Sequence, residues 1–267
     1  MKQRVAVFAC LLIAAGLGGI ARAGVVLDEQ VTTTESNGPA VTRTRELLVQ
    51  GNKEKVVSGR NMFVIDLDRG TMMLIDPNRK AYAEMPFPPH QMLMNPGQQL
   101  DLNFKKTGKA SKVLGYACEE YRGGGKTAMA EVSTSGCFST SAPGAAEFSK
   151  FTKTMGLKLK SAKAMAGTMP NGIPLTMDST HKINAGFSVP GMAPDQAARL
   201  KELMAKQGPQ TTKTVVIKIA TRDLPADTFE PPAGYEHRNV GRAPGAPPPS
   251  GAGADAGAPP PGTKVPE

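Results

Sequence analysis

The sequence predicts an α+β domain in which an antiparallel sheet, strongly curved into a half-barrel, wraps helices packed on its concave side. Three observations carry this. About nine short stretches alternate apolar and polar residues between turn signals. Two further stretches repeat apolar residues at helical spacing. One hairpin is apolar on both faces, so it must be covered on both sides, by protein or by ligand.

That hairpin lies in Asn61 to Pro89. Met62, Phe63, Val64, Ile65 and Leu67 form one apolar run, Asp68-Arg69-Gly70 breaks it, and Met72, Met73, Leu74 and Ile75 form the second. Asp76-Pro77-Asn78 is the next turn, and Lys80 to Met85 adds a third strand that ends at Pro86, Pro88 and Pro89. Alternation groups the residues as Met62, Val64, Met72 and Leu74 against Phe63, Ile65, Met73 and Ile75, and either set is a candidate lining for a ligand cavity.

Upstream, Val25 to Thr34 and Val41 to Gln50 read as strands around the turn Ser36-Asn37-Gly38-Pro39, and Lys53 to Ser58 as a short strand. Downstream, Lys105 to Arg122 reads as a turn and then a strand ended by Gly123-Gly124-Gly125, and Lys126 to Ser135 as its partner. Pro143 opens a helix whose stripe is Phe148, Phe151, Met155 and Leu159, placed as a lid over the cavity. Asn171 to Thr180 is an edge or irregular strand because of Pro174. Ala193 to Gln207 is a second helix with Ala197, Leu200, Leu203 and Met204 on its apolar side, and Thr212 to Thr221 is a late strand.

The ends differ in composition. Residues 1–23 have the form of an export signal: Lys2 and Arg4, an apolar Val5 to Ile20, then Ala21-Arg22-Ala23 as the cleavage site. Residues 24–240 form the folded domain. Residues 241–267, with eight Pro and six Gly, are too poor in apolar side chains to offset their ordering entropy and read as a disordered tail. The expected location is therefore periplasmic or secreted. In that oxidising setting Cys118 and Cys137, the two cysteines beyond the leader, are expected to form a disulfide.

The formal charge of +9 falls to +6 without Lys2, Arg4 and Arg22, and the lysines are spread among polar residues. This excludes a dense nucleic-acid-binding patch and leaves a peripheral attraction to the envelope membrane. Catalytic hardware is sparse: His90, His181 and His237 are far apart in sequence, and no nucleophile elbow, zinc-protease motif or phosphate loop occurs. Asp66, Asp68 and Asp76 read as turn residues. The chain is thus expected not to be an enzyme and to need no cofactor. Thirteen methionines beyond the leader suit an adaptable core or a lipid-like ligand. His90, Met92 and Met94 are a further reading, as soft ligands for Cu(I).

Four strings add a resemblance. They are I-D-x-D-x-G-x-M-x-x-I-D-P-x-x-K-x-Y-x-E-M-P (Ile65 to Pro86), T-G-K-x-x-x-V-x-G-Y-x-C-E-x-Y (Thr107 to Tyr121), G-I-P-L (Gly172 to Leu175) and L-P-x-x-x-F-x-x-P-x-G-Y (Leu224 to Tyr235). Together they resemble the DUF4412-type family of bacterial exported domains of unknown function, which is similar to the periplasmic lipoprotein carriers. The resemblance implies an unclosed β-barrel lidded by helices around an apolar cavity, with a lipid-like ligand or a lipoprotein as partner. It is a match of architecture, without counterparts of the carriers' functional residues. The other reading is a structural or protein-interaction module of the envelope with a filled core.

Overall fold

A computed structural model describes residues 23–36, 38–59, 61–89, 100–126, 130–161, 165–166, 169–183 and 208–238, with scattered residues between 193 and 202. The expected leader up to Arg22, the His90 to Met94 segment and the expected tail from Gly241 lie outside the described residues.

The first six strands are β1 (Gly24–Glu35), β2 (Val41–Gln50), β3 (Lys53–Ser58), β4 (Asn61–Asp66), β5 (Thr71–Asp76) and β6 (Ala81–Pro86). Each pairs antiparallel with the next. Their turns follow from short polar residues. Asp66 Oδ1 accepts the N–H groups of Asp68 and Arg69, each at 3.0 Å, and Asp76 Oδ1 accepts those of Asn78 and Arg79 at 3.0 and 3.2 Å. Two Ile-Asp corners thus end two successive strands by the same chemistry.

After the two-residue β7 (Leu100–Asp101) come β8 (Lys105–Val113), β9 (Tyr116–Lys126) and β10 (Ala130–Ser139), then helix α1 (Ala145–Ser161). The chain continues through β11 (Met165–Ala166), β12 (Ile173–Ile183), β13 (Gln210–Arg222), a 3₁₀ turn at Ala226–Phe229 and β14 (Glu236–His237). Among the described residues twelve strands form one sheet in the order β14-β6-β5-β4-β3-β2-β1-β13-β12-β10-β9-β8, while β7 and β11 pair separately.

This corrects the strongly curved, antiparallel unclosed barrel with helices on its concave side. The twelve strands hydrogen-bond in one open linear order, and β14 runs parallel to β6, so the sheet is mixed. One long helix, α1, packs on it among the described residues. The outer strand β8 is exposed throughout most of its length and carries Lys105, Lys106, Lys109 and Lys112, charges that keep an edge from pairing further. Of the second expected helix, Asp195, Gln196, Ala198, Arg199 and Glu202 are helical, and its apolar positions lie outside the described residues.

Three local expectations also change. Lys105 to Arg122 is two strands, not one, because Leu114 and Gly115, both at positive φ (51° and 83°), make a two-residue turn whose sense suits a hairpin. The triple glycine does not end β9 but lies inside it: a Cβ on Gly124 would stand 2.8 Å from the Val132 carbonyl, and one on Gly123 would press on the Phe104 ring. Finally, β12 is internal, between β10 and β13, and it accommodates Pro174 through a bulge opposite Cys137 and Phe138.

Two apolar clusters lie on opposite sides of the sheet. One joins Val25, Leu27, Leu47, Val49, Val56, Ile65 and Leu67 to α1 through Phe148 and Phe151. The other joins Val26, Leu48, Val64, Met73 and Ile75 to Leu224 and Phe229 of the C-terminal segment. Hydrogen bonds fix both covers. Glu147 of α1 accepts the Gly51 N–H at 2.5 Å, and Ser149 accepts the Gly172 N–H at 2.7 Å. Gln50 accepts the Leu224 N–H at 2.8 Å, and Lys55 donates to the Thr228 carbonyl at 2.9 Å.

Candidate functional site

The site is built on the β4–β5 hairpin. Its register pairs Met62 with Ile75, Phe63 with Leu74, Val64 with Met73, and Ile65 with Met72. The two faces are therefore Met62, Val64, Met73 and Ile75, and Phe63, Ile65, Met72 and Leu74. The groupings expected from alternation alone placed the β5 residues on the wrong sides. Four residues, Leu67 to Gly70, separate the Asp66–Thr71 pair that closes the hairpin, and this length makes odd positions face even ones.

The first face is closed. Val64, Met73 and Ile75 are buried, with Met62 packed beside them, under Leu224, Phe229 and Tyr235. The second face is closed only in part. Ile65 and Leu67 are buried in the α1 cluster, but Phe63 and Met72 are half-buried and Leu74 is 44% exposed. From the helix, Phe148 and Phe151 are buried, Met155 is half-buried at the same cluster, and Leu159 is half-buried.

Charged residues that sequence reasoning passed over share the second face. Glu54 pairs with Val49 on one side and Ile65 on the other, so a carboxyl group stands in an otherwise apolar cross-strand row. It has no hydrogen-bond or ion-pair partner among the described residues. Burial pushes its pKa up to about 7; the Arg45 guanidinium pulls against this and the Glu29 charge adds to it. Further along, Arg45 lies opposite Glu29 and bonds it, Nη2 to Oε2 at 2.6 Å. Glu29 is 3% exposed, and burial raises its pKa despite the attraction of Arg45. Beyond this pair the face opens into a groove of about 420 Å³ whose lining includes Val31, Val41, Arg43, Arg45 and Ser58. Glu54 was legible in principle: the two-residue turn Gly51-Asn52 sets its register opposite Val49.

The turn aspartate Asp66 is 3% exposed. Burial would raise its pKa, but the Arg69 N–H, Lys53 and the Asp68 N–H outweigh that and hold it below the usual value. Its other oxygen lies 3.1 Å from Lys53 Nζ. Cys118 and Cys137 are bonded, with Cα atoms 5.4 Å apart, and tie β9 to β10. Among the described residues, no group of three His, Cys, Asp or Glu side chains is placed to hold a metal ion. Nor is any described helix long and apolar enough to cross a membrane.

Among the described residues the chain is thus an open-edged mixed sheet with one long helix, two opposed apolar clusters and a partly open hairpin face. The chain belongs to the DUF4412 family, a domain of unknown function, whose model matches residues 44–177. No curated protein matches it. Among solved structures it is similar to PNGF-II, at 9% identity and a TM-score of 0.39, over 81% of this chain and 31% of that one, so it spans about a third of that protein's length. It is also similar to a DUF1329 family protein from Desulfovibrio piger, at 7% identity and a TM-score of 0.32, over 79% of this chain and 91% of that one. A LolA superfamily protein from Nitrosomonas europaea matches at 8% identity and a TM-score of 0.30, over the same shares, 79% and 91%.

Proposed function

We propose that this is a non-enzymatic, exported protein of the cell envelope that holds an amphiphilic, lipid-like ligand, free or as the acyl end of a lipoprotein, against the α1-bearing face of the β4–β5 hairpin. One observation carries the reading: the two faces of the same hairpin are covered unequally. Val64, Met73 and Ile75 are sealed by the chain's own C-terminal segment, whereas on the other face Phe63 and Met72 are only half-buried at the margin of the α1 cluster and Leu74 beside them is exposed. An acyl chain laid on that strip of residues would remove apolar surface from water at about 25 cal/mol per Å². Its polar end would then meet Glu54, which has no hydrogen-bond or ion-pair partner among the described residues.

A second reading is an envelope interaction module with a filled core. It is favoured by the near-complete burial of Ile65 on the sheet and of Phe148 and Phe151 on the helix. Delipidated protein titrated with a fluorescent fatty-acyl probe separates the two. The carrier reading expects saturable binding by wild type and its loss in Leu74→Asp at unchanged melting temperature. Absence of saturable binding by wild type would leave the interaction module. Phe151→Asp is a poor variant for this purpose, since Phe151 is fully buried and its substitution would unfold the helix contact.

A further inference from the structure

The side of α1 that faces away from the sheet carries a second pattern. Ala146, Lys150, Lys153, Leu157 and Lys160 follow one another at spacings of four, three, four and three, so they form a single ridge along the helix. All five are exposed, and Leu157 shows 69% of its surface. Glu147, the acidic residue of the helix's first turn, is turned to the Gly51 N–H and away from this ridge. Lys150, Lys153 and Lys160 have no ion-pair partner among the described residues. Alongside the ridge lies an open hollow of about 440 Å³ whose lining includes Lys150, Lys153, Ser149, Thr140 and Asn171.

Helix faces that merely meet water usually mix both signs of charge at i,i+4 spacing. This one places a large apolar side chain between three cations. That combination suits an interface of anionic headgroups over hydrocarbon, where lysine stems reach outward to phosphates while a leucine enters the apolar layer.

We propose that the α1 ridge docks the protein on the surface of an anionic phospholipid bilayer, with Lys150, Lys153 and Lys160 at the headgroups and Leu157 inserted between them. The ridge is on the opposite side of α1 from Phe148, Phe151 and Met155, so docking leaves the hairpin strip free and does not depend on the ligand reading above.

Each lysine near an anionic surface contributes about fivefold to the binding constant. The test is co-sedimentation of the mature protein with vesicles of phosphatidylglycerol and phosphatidylcholine, 3:7, against pure phosphatidylcholine. Binding to the mixed vesicles alone is expected, with release at high salt. Lys150→Glu/Lys153→Glu/Lys160→Glu should lower it about 100-fold or more, and Leu157→Ser several-fold. The charge-matched control Lys105→Glu/Lys109→Glu/Lys112→Glu, on the distant edge strand β8, should leave most of it. All these positions are exposed, so the variants are expected to fold, which circular dichroism verifies. Equal binding to pure phosphatidylcholine, or an equal loss in the β8 control, overturns the proposal. So does retention by an acidic protein column without vesicle binding, which would assign the ridge to a protein partner.

Discussion

Phe63 and Leu74 lie directly opposite each other on β4 and β5, on the side that carries α1, and Leu74 keeps 44% of its surface exposed. One residue further along each strand, Val64 and Met73 oppose each other on the other side, and both are buried. The first prediction follows from this inequality. Met73→Ala should cost about 2–5 kcal/mol, the range for truncating a buried side chain, while Leu74→Ala should cost less than about 1 kcal/mol. Urea unfolding of the two variants measures both; similar losses would mean that the Leu74 side is packed as tightly as the Met73 side.

The turn at Asp66 makes a second prediction. Its carboxylate is buried, accepts two backbone N–H groups and pairs with Lys53, whereas Asp76 performs the same turn chemistry half-exposed. Removing Asp66 leaves two donors and an ammonium without their acceptor in a shielded place, so Asp66→Ala should cost about 2–3 kcal/mol and Asp76→Ala about 1 kcal/mol. Chemical denaturation of the pair gives the comparison, and the order of the two losses is the decisive readout.

The readable parts of this chain are those in which local pattern and turn chemistry agree. Strands β1 to β6 came from alternation broken by Asp, Asn, Gly and Pro, and α1 from Pro143 followed by the stripe Phe148, Phe151 and Met155. What alternation could not supply was register. A hairpin's faces depend on the parity of its turn, and the four residues from Leu67 to Gly70 reverse the grouping that equal parity suggests. Leu114 hid the β8–β9 turn because leucine seldom adopts positive φ, and only Gly115 behind it signalled a hairpin. Glu54 hid in Lys-Glu-Lys-Val-Val-Ser, which reads as a solvated strand until pairing sets it between Val49 and Ile65. The mixed character of the sheet comes from β14 returning parallel to β6, a pairing between distant parts of the chain that no single segment encodes.

The Cys118–Cys137 bond gives a third prediction. It closes a loop of 19 residues, worth about 3 kcal/mol in the loop-entropy account. Cys118→Ser/Cys137→Ser should lose about that much while keeping the sheet, because both positions sit within strands held on two sides by β8, β9, β10 and β12. Thermal unfolding of the variant beside the oxidised parent measures the loss. A change of less than about 1 kcal/mol would mean that strand pairing alone holds β9 against β10.

Glu54 gives the last prediction, and its sign decides it. The folded carboxyl has a pKa of about 7 against 4.5 for the free group, because burial opposes its charge. Between those values the folded state binds more protons than the unfolded one, so stability rises as pH falls from above 7 towards 4.5, by at most about 3 kcal/mol. Glu29, also raised, acts in the same sense. Asp66 acts in the opposite sense: its lowered pKa contributes stability above the unfolded value near 3.8 that is lost in stronger acid. Together they place the stability maximum near pH 4, between the unfolded values of 4.5 and 3.8. Glu54→Gln should raise stability at pH 8, change it little at pH 5, and flatten the slope between them. A ligand covering the Phe63–Leu74 strip would strip further water from Glu54, so binding should take up a proton and strengthen as pH falls. Acyl-probe titrations at pH 5.5 and 8 then serve as the functional counterpart of the unfolding curves. The expected result is tighter binding at the lower pH in wild type and equal binding at both in Glu54→Gln. A pH dependence that survives in Glu54→Gln would place the responsible group elsewhere and remove Glu54 from the site.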